Sequence, residues 1–306
     1  MAVRPGGGVK LFEGVVQREY RSVVSDNRRW SHFVHRTGDV FVCTSPKCGT
    51  TWMQTVVTTL LFPTGLPSNT VMDLSPWIDA RFLPIEDVIA TLDTQGHRRT
   101  IKTHTPADGI PWWSDASYIV VVRDGLDACM SFLNHLTHMR PEVVMELVAT
   151  AEADGIELGG GFSLDDVHEF FASWLAPPGV WFEHLNSFWM QRDQTNVLFV
   201  HFDDLQDDLD GEMRRVATFL NVDVDEALWP QLVEHCTFAS MKRRSGEIGD
   251  FDRLFIGGAD TFLYKGINGR WRDVLTADEV RIFDDECRRR LPADANLWAN
   301  RHLRMT

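Results

Sequence analysis

The chain has no Gly-Lys-Ser or Gly-Lys-Thr triplet, no Cys-x-x-Cys pair and no apolar run long enough to span a bilayer among its 306 residues. The first absence removes the usual phosphate loop of nucleotide triphosphatases. The second leaves five scattered cysteines, Cys43, Cys48, Cys129, Cys236 and Cys287. Their odd number points to reduced thiols and a cytoplasmic setting. The N-terminal MAVRPGGGVK has no apolar stretch behind its charges, so no secretory signal is expected. Positive charge is also short. Thirty Lys and Arg face 44 Asp and Glu, a net charge of -14. Such a chain lacks the basic footprint of a nucleic-acid binder and is not broadly drawn to anionic membranes. Peripheral membrane contact stays open. So does a small anionic ligand, because a few converging cations and backbone N–H groups suffice for one. No carboxylate pair or metal-ligand spacing stands out, so no metal is expected, and no internal repeat is present.

What is there reads as an ordinary globular composition, 44% hydrophobic and 24% charged. A single domain over 1–306 is the simpler reading, with 1–38 as an N-terminal extension. Asp39–Cys43 is a short apolar, β-branched run that ends at Ser45-Pro46, a buried strand entering a turn. From Thr50, apolar residues recur at helical spacing (Trp52, Met53, Val56, Val57, Leu60, Leu61) until Pro63. The same unit returns twice. Tyr118–Val122 precedes Arg123-Asp124-Gly125 and a helix. Asn196–Phe202 precedes an acidic turn and a helix over Gly211–Leu220. The fold class is therefore α/β, a central parallel sheet flanked by helices, with ligands beyond the carboxyl ends of the strands. Residues 139–161 start like a helix and end Gly-rich, either a lid or, preferably, a surface insertion.

The loop Ser45-Pro46-Lys47-Cys48-Gly49-Thr50-Thr51-Trp52 is the strongest chemical signal. Gly49 lets a ligand approach the backbone, and the following helix aims its unpaired N–H groups and dipole at it. Thr50 and Thr51 add hydroxyls and Lys47 a cation. This is an anion cradle of P-loop-like strand–loop–helix form. Lys47 precedes Gly49 instead of following it, which makes a nucleotide kinase or NTPase the weaker alternative. A non-catalytic nucleotide-binding module is a further one.

The octet resembles the donor-binding signature of the PAPS-dependent cytosolic-type sulfotransferases (PAPS is 3′-phosphoadenosine 5′-phosphosulfate). Ile101–Pro106 is similar to that family's Lys-Thr-His segment, Tyr118–Ser131 to its 3′-phosphate site, and Phe262–Trp271 to its late Arg-Lys-Gly-x-x-Gly-x-Trp segment. The likeness runs from about Asp39 to Phe283. Ser75-Pro76-Trp77 through Lys102-Thr103-His104 also resembles bacterial members described as glycolipid sulfotransferases. The resemblance implies PAPS as co-substrate, PAP (3′-phosphoadenosine 5′-phosphate) as product, and sulfuryl transfer to the hydroxyl of a small or lipid-linked acceptor. It implies His104 as general base, with Lys47 and a supporting Lys102 stabilising charge on the leaving phosphate. Cys48, Gly49, Thr50 and Thr51 belong to the donor loop. Arg123, Ser131, Tyr264, Lys265 and Gly266 fall at the 3′-phosphate, and Trp52 and Phe238 sandwich the adenine.

Four departures qualify it. Cys48 stands where the family usually has Ser. Tyr264 replaces an Arg and removes a cation. Phe202 replaces a Tyr that often touches the adenine. The dimerisation pattern of animal members is not kept around Arg272–Arg281, so no such dimer is expected. Trp77, Phe82, Trp112, Trp113, Phe132 and Trp181 are candidates for an apolar acceptor pocket, although aromatics are more often core. His135 and His138 read as a solvent-exposed pair at a helix end.

Overall fold

The computed structural model describes residues 11–67, 70–158 and 163–301. The first ten residues of the expected extension and residues 159–161 of the expected insertion lie outside them. Among the described residues one sheet of four parallel strands forms the centre: β1 (Val40–Thr44), β2 (Thr100–Thr103), β3 (Ser117–Val122) and β4 (Val197–His201), in the order β2-β1-β3-β4.

Alternation along the strands explains the two layers around it. Phe41, Cys43, Tyr118 and Val120 point to one face, where they pack with Trp112, Leu126, Phe170, Trp181, Phe188 and Phe283. Val40, Val42, Ile119, Val121 and Val200 point to the other, against Met53, Val56, Val57 and Leu60 of helix α1 (Thr50–Leu61) and against Met213, Val216 and Trp229. Both faces are covered, as near-continuous apolar strands require. At the amino ends of β1 and β2, Arg99 Nη2 bonds Asp39 Oδ2 at 2.6 Å, with both side chains almost fully buried. This pair pins the Val40–Thr100 register from below.

Four sequence expectations are corrected. Thr100–Thr103 was expected only as a motif and is an edge strand; its Thr-Ile-Lys-Thr has too little apolar character to announce itself. The strand expected over Asn196–Phe202 is Val197–His201. The acidic turn after it is a short helix, Phe202–Asp207, because the His201 ring accepts the Asp203 N–H at 3.2 Å and acidic residues suit a helix start. The next helix is Leu209–Phe219.

Helix α2 (Gly125–Thr137) follows β3, capped by Asp124, whose carboxylate accepts the Leu126 and Asp127 N–H groups. Residues 141–153 form helix α3 (Pro141–Ala153), with Leu147 and Ala151 buried. It is strapped at its start by Arg140 N–H to Leu254 O (2.9 Å) and by Ile256 N–H to His138 O (2.9 Å). Its end is held by buried Arg81, which pairs with Asp154 and with Asp26. The described part of the insertion is thus packed structure. No described helix is long and apolar enough to cross a membrane.

Candidate active site

The chain leaves β1 for β2 on one side and leaves β3 for β4 on the other, so a crevice opens beyond the carboxyl ends of the neighbouring β1 and β3. The sequence-expected residues gather there: Lys47 in the loop after β1, Lys102 and His104 at the end of β2, and Arg123 just past β3.

The loop is shaped by two left-handed residues, Lys47 (φ 67°) and Gly49 (φ 100°). Gly49 caps α1 without a side-chain bond. A Cβ there would sit 2.9 Å from Phe202 Cδ2, so glycine is required twice over. The Cys48 N–H donates to Ser45 O at 3.3 Å, and burial pushes its thiol up to about 12. Cys48 is therefore a neutral, buried side chain. Thr51 is buried, and the Thr50 hydroxyl lies 2.6 Å from that of Thr44.

His104 has a defined tautomer. Its Nδ1 is 2.7 Å from the Thr44 carbonyl oxygen, which can only accept, so Nδ1 carries the proton and Nε2 the lone pair. Burial, then the Lys102 charge, holds its pKa well below the usual imidazole value, so the ring is neutral at pH 7. Its neighbours Thr103 and Thr105 both donate hydroxyls to Asp79 Oδ2 at 2.6 Å. Asp79 is fully buried and went unnoticed in the sequence. Its only signal was a carboxylate inside the apolar run after Ser75-Pro76-Trp77.

The cations are held by rings. Lys102 Nζ lies 4.1 Å over Trp77, which also meets His104 edge-on at 4.6 Å. Burial lowers Lys102 to about 8, against the attraction of Asp79. Lys47 Nζ lies 4.4 Å over Phe262. Burial first, then Lys102 and Arg123, lower it to about 7.

Arg123 is placed differently. Its guanidinium lies 4.3 Å over Phe202 and donates to Asn268 Oδ1 through Nε (2.8 Å) and Nη2 (2.5 Å), to Ile267 O (3.1 Å) and to Lys47 O (3.3 Å). Asn268 in turn donates to Asp203 and to Gln206 Oε1 (3.1 Å). The late segment is thereby drawn onto the loop after β1. Asn268 was not foreseen, because it is one of the variable positions of its motif. Gly266 (φ 62°) lies flat against Phe238; a Cβ would come within 2.7 Å of that ring. Trp52 donates from Nε1 to Cys236 O at 2.8 Å and packs, like Phe238, on the same apolar cluster. Tyr264 and Lys265 are exposed, and Tyr264 carries Lys265 (5.1 Å) and Arg270 (4.9 Å) over its ring. Ser131 is half-buried in α2.

Of the aromatic candidates, Trp77 and Phe82 are neighbours (5.7 Å) beside His104. Phe132 lies 6.3 Å from His135. Trp112 and Trp181 are core, Trp112 stacked on Tyr118 at 3.9 Å, and Trp113 packs on Phe41. His135 corrects its expectation: it is half-buried, 3.4 Å from Lys47 Nζ through Nδ1. His138 is half-buried and bonds Asn134 O at 2.8 Å. Among the described residues no cluster of His, Cys, Asp or Glu is arranged to hold a metal.

Known proteins agree with this architecture. A glycolipid sulfotransferase of Mycobacterium bovis is 33% identical over 308 residues, covering 92% of this chain and 93% of its own. Human sulfotransferase 1E1 is 25% identical over 261 residues, covering 82% and 83%. The crystal structure of mouse sulfotransferase SULT7A1 complexed with PAP matches the fold with a TM-score of 0.69 at 20% identity, covering 91% and 93%. The sulfotransferase domain family matches residues 37–294, most of the chain, and the protein belongs to that family.

Proposed function

We propose that this sulfotransferase uses PAPS to sulfate a hydroxyl of a hydrophobic acceptor, with His104 as general base. The observation that carries the reading is the His104 tautomer: Nδ1–H is committed to Thr44 O, which leaves the Nε2 lone pair as the basic atom. The crevice suits the donor chemically. Gly49 and Gly266 let the Phe202 and Phe238 rings pack directly against the backbone of the loop and the late segment, and Arg123 brings a buried guanidinium to the rim of the crevice.

PAPS, when bound, supplies an activated sulfuryl group on a phosphate leaving group. The protein's part is positional and electrostatic. Nε2 of His104 takes the acceptor proton. Lys47 and Lys102, when protonated, set positive charge beside the leaving phosphate; burial lowers both pKa values but makes each charge act more strongly. Arg123, Ser131, Tyr264, Lys265 and Gly266 would hold the 3′-phosphate, and Cys48, Gly49, Thr50 and Thr51 the 5′ side. Trp52 and Phe238 would take the adenine. Trp77 and Phe82, beside His104, suit an apolar or sugar-bearing acceptor, and the mycobacterial glycolipid relatives support a lipid-linked one. The five buried, unpaired thiols support a cytoplasmic setting, and the chain is read as one working domain.

Calorimetric titration with PAP, followed by transfer of [³⁵S]sulfate from PAPS to phenols, sterols and glycolipids, tests this. PAP binding without magnesium and label in a glycolipid are expected. Magnesium-dependent ATP turnover with no PAP binding would overturn it.

A further inference from the structure

Lys47 is positioned by more than its loop. On one side its ammonium lies on the Phe262 ring, and on the other it is 3.4 Å from His135 Nδ1 in the last turn of α2. An ammonium has three donors and no acceptor, so His135 Nδ1 must be the lone-pair nitrogen. His135 is therefore the Nε2–H tautomer, the reverse of His104. Phe255 (4.8 Å) and Phe262 (6.0 Å) hold its ring in place. We propose that His135 is a positioning residue for Lys47, accepting its hydrogen bond and keeping its ammonium charged at the mouth of the donor loop.

The neighbourhood explains why such an acceptor is needed. The groups that act on Lys47 are Lys102 at the end of β2, Arg123 beyond β3 and Cys48 in the loop itself, and the two cations push its proton off. His104 also faces this cluster, but its Nδ1 is spent on Thr44. The Cys48 thiol is directed to Pro46 O. Among the described residues, the hydrogen bond of Lys47 Nζ runs to the imidazole of α2. Burial keeps His135 itself well below the usual imidazole value, so it stays neutral and stays an acceptor wherever the enzyme would work. A hydrogen bond to a charged donor favours the charged form. The role in donor binding rests on the proposed use of PAPS; the contact with Lys47 does not.

The sign follows. Lys47 is charged below its pKa and loses its proton as pH rises. Removing the acceptor lowers the pKa, so charge and donor affinity are lost at lower pH. The chain has five lysines, so the acetylation of Lys47 by trace acetic anhydride, read by peptide mass spectrometry across pH, is resolvable. In ligand-free full-length protein, His135→Phe should move the labelling midpoint of Lys47 down by roughly one pH unit, the worth of one hydrogen bond to a charged group. His135→Asn, which returns an acceptor oxygen, should label like the wild type. His135→Leu replaces His135→Phe if that variant does not fold. With PAP, His135→Phe should bind about threefold to tenfold more weakly at pH 8.5 and within about twofold of wild type at pH 6. An unshifted midpoint in His135→Phe, or an equal shift in His135→Asn, overturns the proposal. A shifted midpoint in a protein that binds no PAP upholds the contact and sinks the donor reading instead.

Discussion

Lys102 at the end of β2 and Arg123 beyond β3 both lie over an aromatic ring, Trp77 at 4.1 Å and Phe202 at 4.3 Å. Their remaining contacts differ. Arg123 is tied by hydrogen bonds to Asn268, Ile267 and Lys47, so a segment near the end of the chain fixes it. Lys102 is held by its ring and steadied by a buried carboxylate nearby, and burial brings it to about 8. With Lys47 at about 7 and Lys102 at about 8, the crevice beside His104 holds two lysines that titrate near neutral pH, while burial keeps His104 itself neutral. The β3 side carries a fixed charge in a braced frame. One flank is suited to chemistry and the other to holding.

The sharpest way to break that division is His104→Ala. It should lower turnover by about 10³-fold, within the usual span for a lost general base, and leave PAP affinity within about twofold. Rapid-quench turnover beside calorimetry reads both. Equal loss of binding would move His104 to the holding side. Arg123→Ala should do the reverse. It should weaken PAP by roughly 10- to 100-fold, the worth of a charged bidentate contact, and weaken adenosine 5′-phosphosulfate far less. Equal weakening of the two ligands would place Arg123 away from the 3′-phosphate. Gly266→Ala is the gentlest probe. A methyl there meets Phe238 at 2.7 Å on a left-handed backbone, so it should cost about 2 kcal/mol of stability and weaken PAP several-fold. A melting curve with and without PAP checks it, and an unchanged affinity would show that the late segment does not close on the ligand.

How much of this was readable beforehand follows a physical divide. The parallel sheet was legible because β1, β3 and β4 are mostly apolar and β1 and β3 bury both faces. The strand–loop–helix form around Ser45–Trp52 was legible because its features are local: an apolar strand, a glycine and a helix start. β2 was not, since Thr-Ile-Lys-Thr becomes a strand only by pairing with β1. Asp79 and Asn268 were invisible for a similar reason. Each acts on residues far away in the chain, Thr103 and Thr105 in one case and Arg123 in the other. His135 was placed on the right helix but given the wrong surroundings. The Phe255 and Phe262 that cover it come from more than a hundred residues later.

The backbone at Lys47 has one more consequence. Of the described non-glycine residues only Lys47 and Asn221 have positive φ, and asparagine tolerates that region where lysine does not. The loop therefore carries about 1–2 kcal/mol of conformational strain, in addition to gathering three mutually repelling cations. Both burdens fall on the residue proposed to assist the leaving phosphate. Lys47→Gly would relieve them together, so the variant should melt higher than the wild type while transferring little sulfate. Selection of this protein for heat resistance alone would tend to disarm it at position 47.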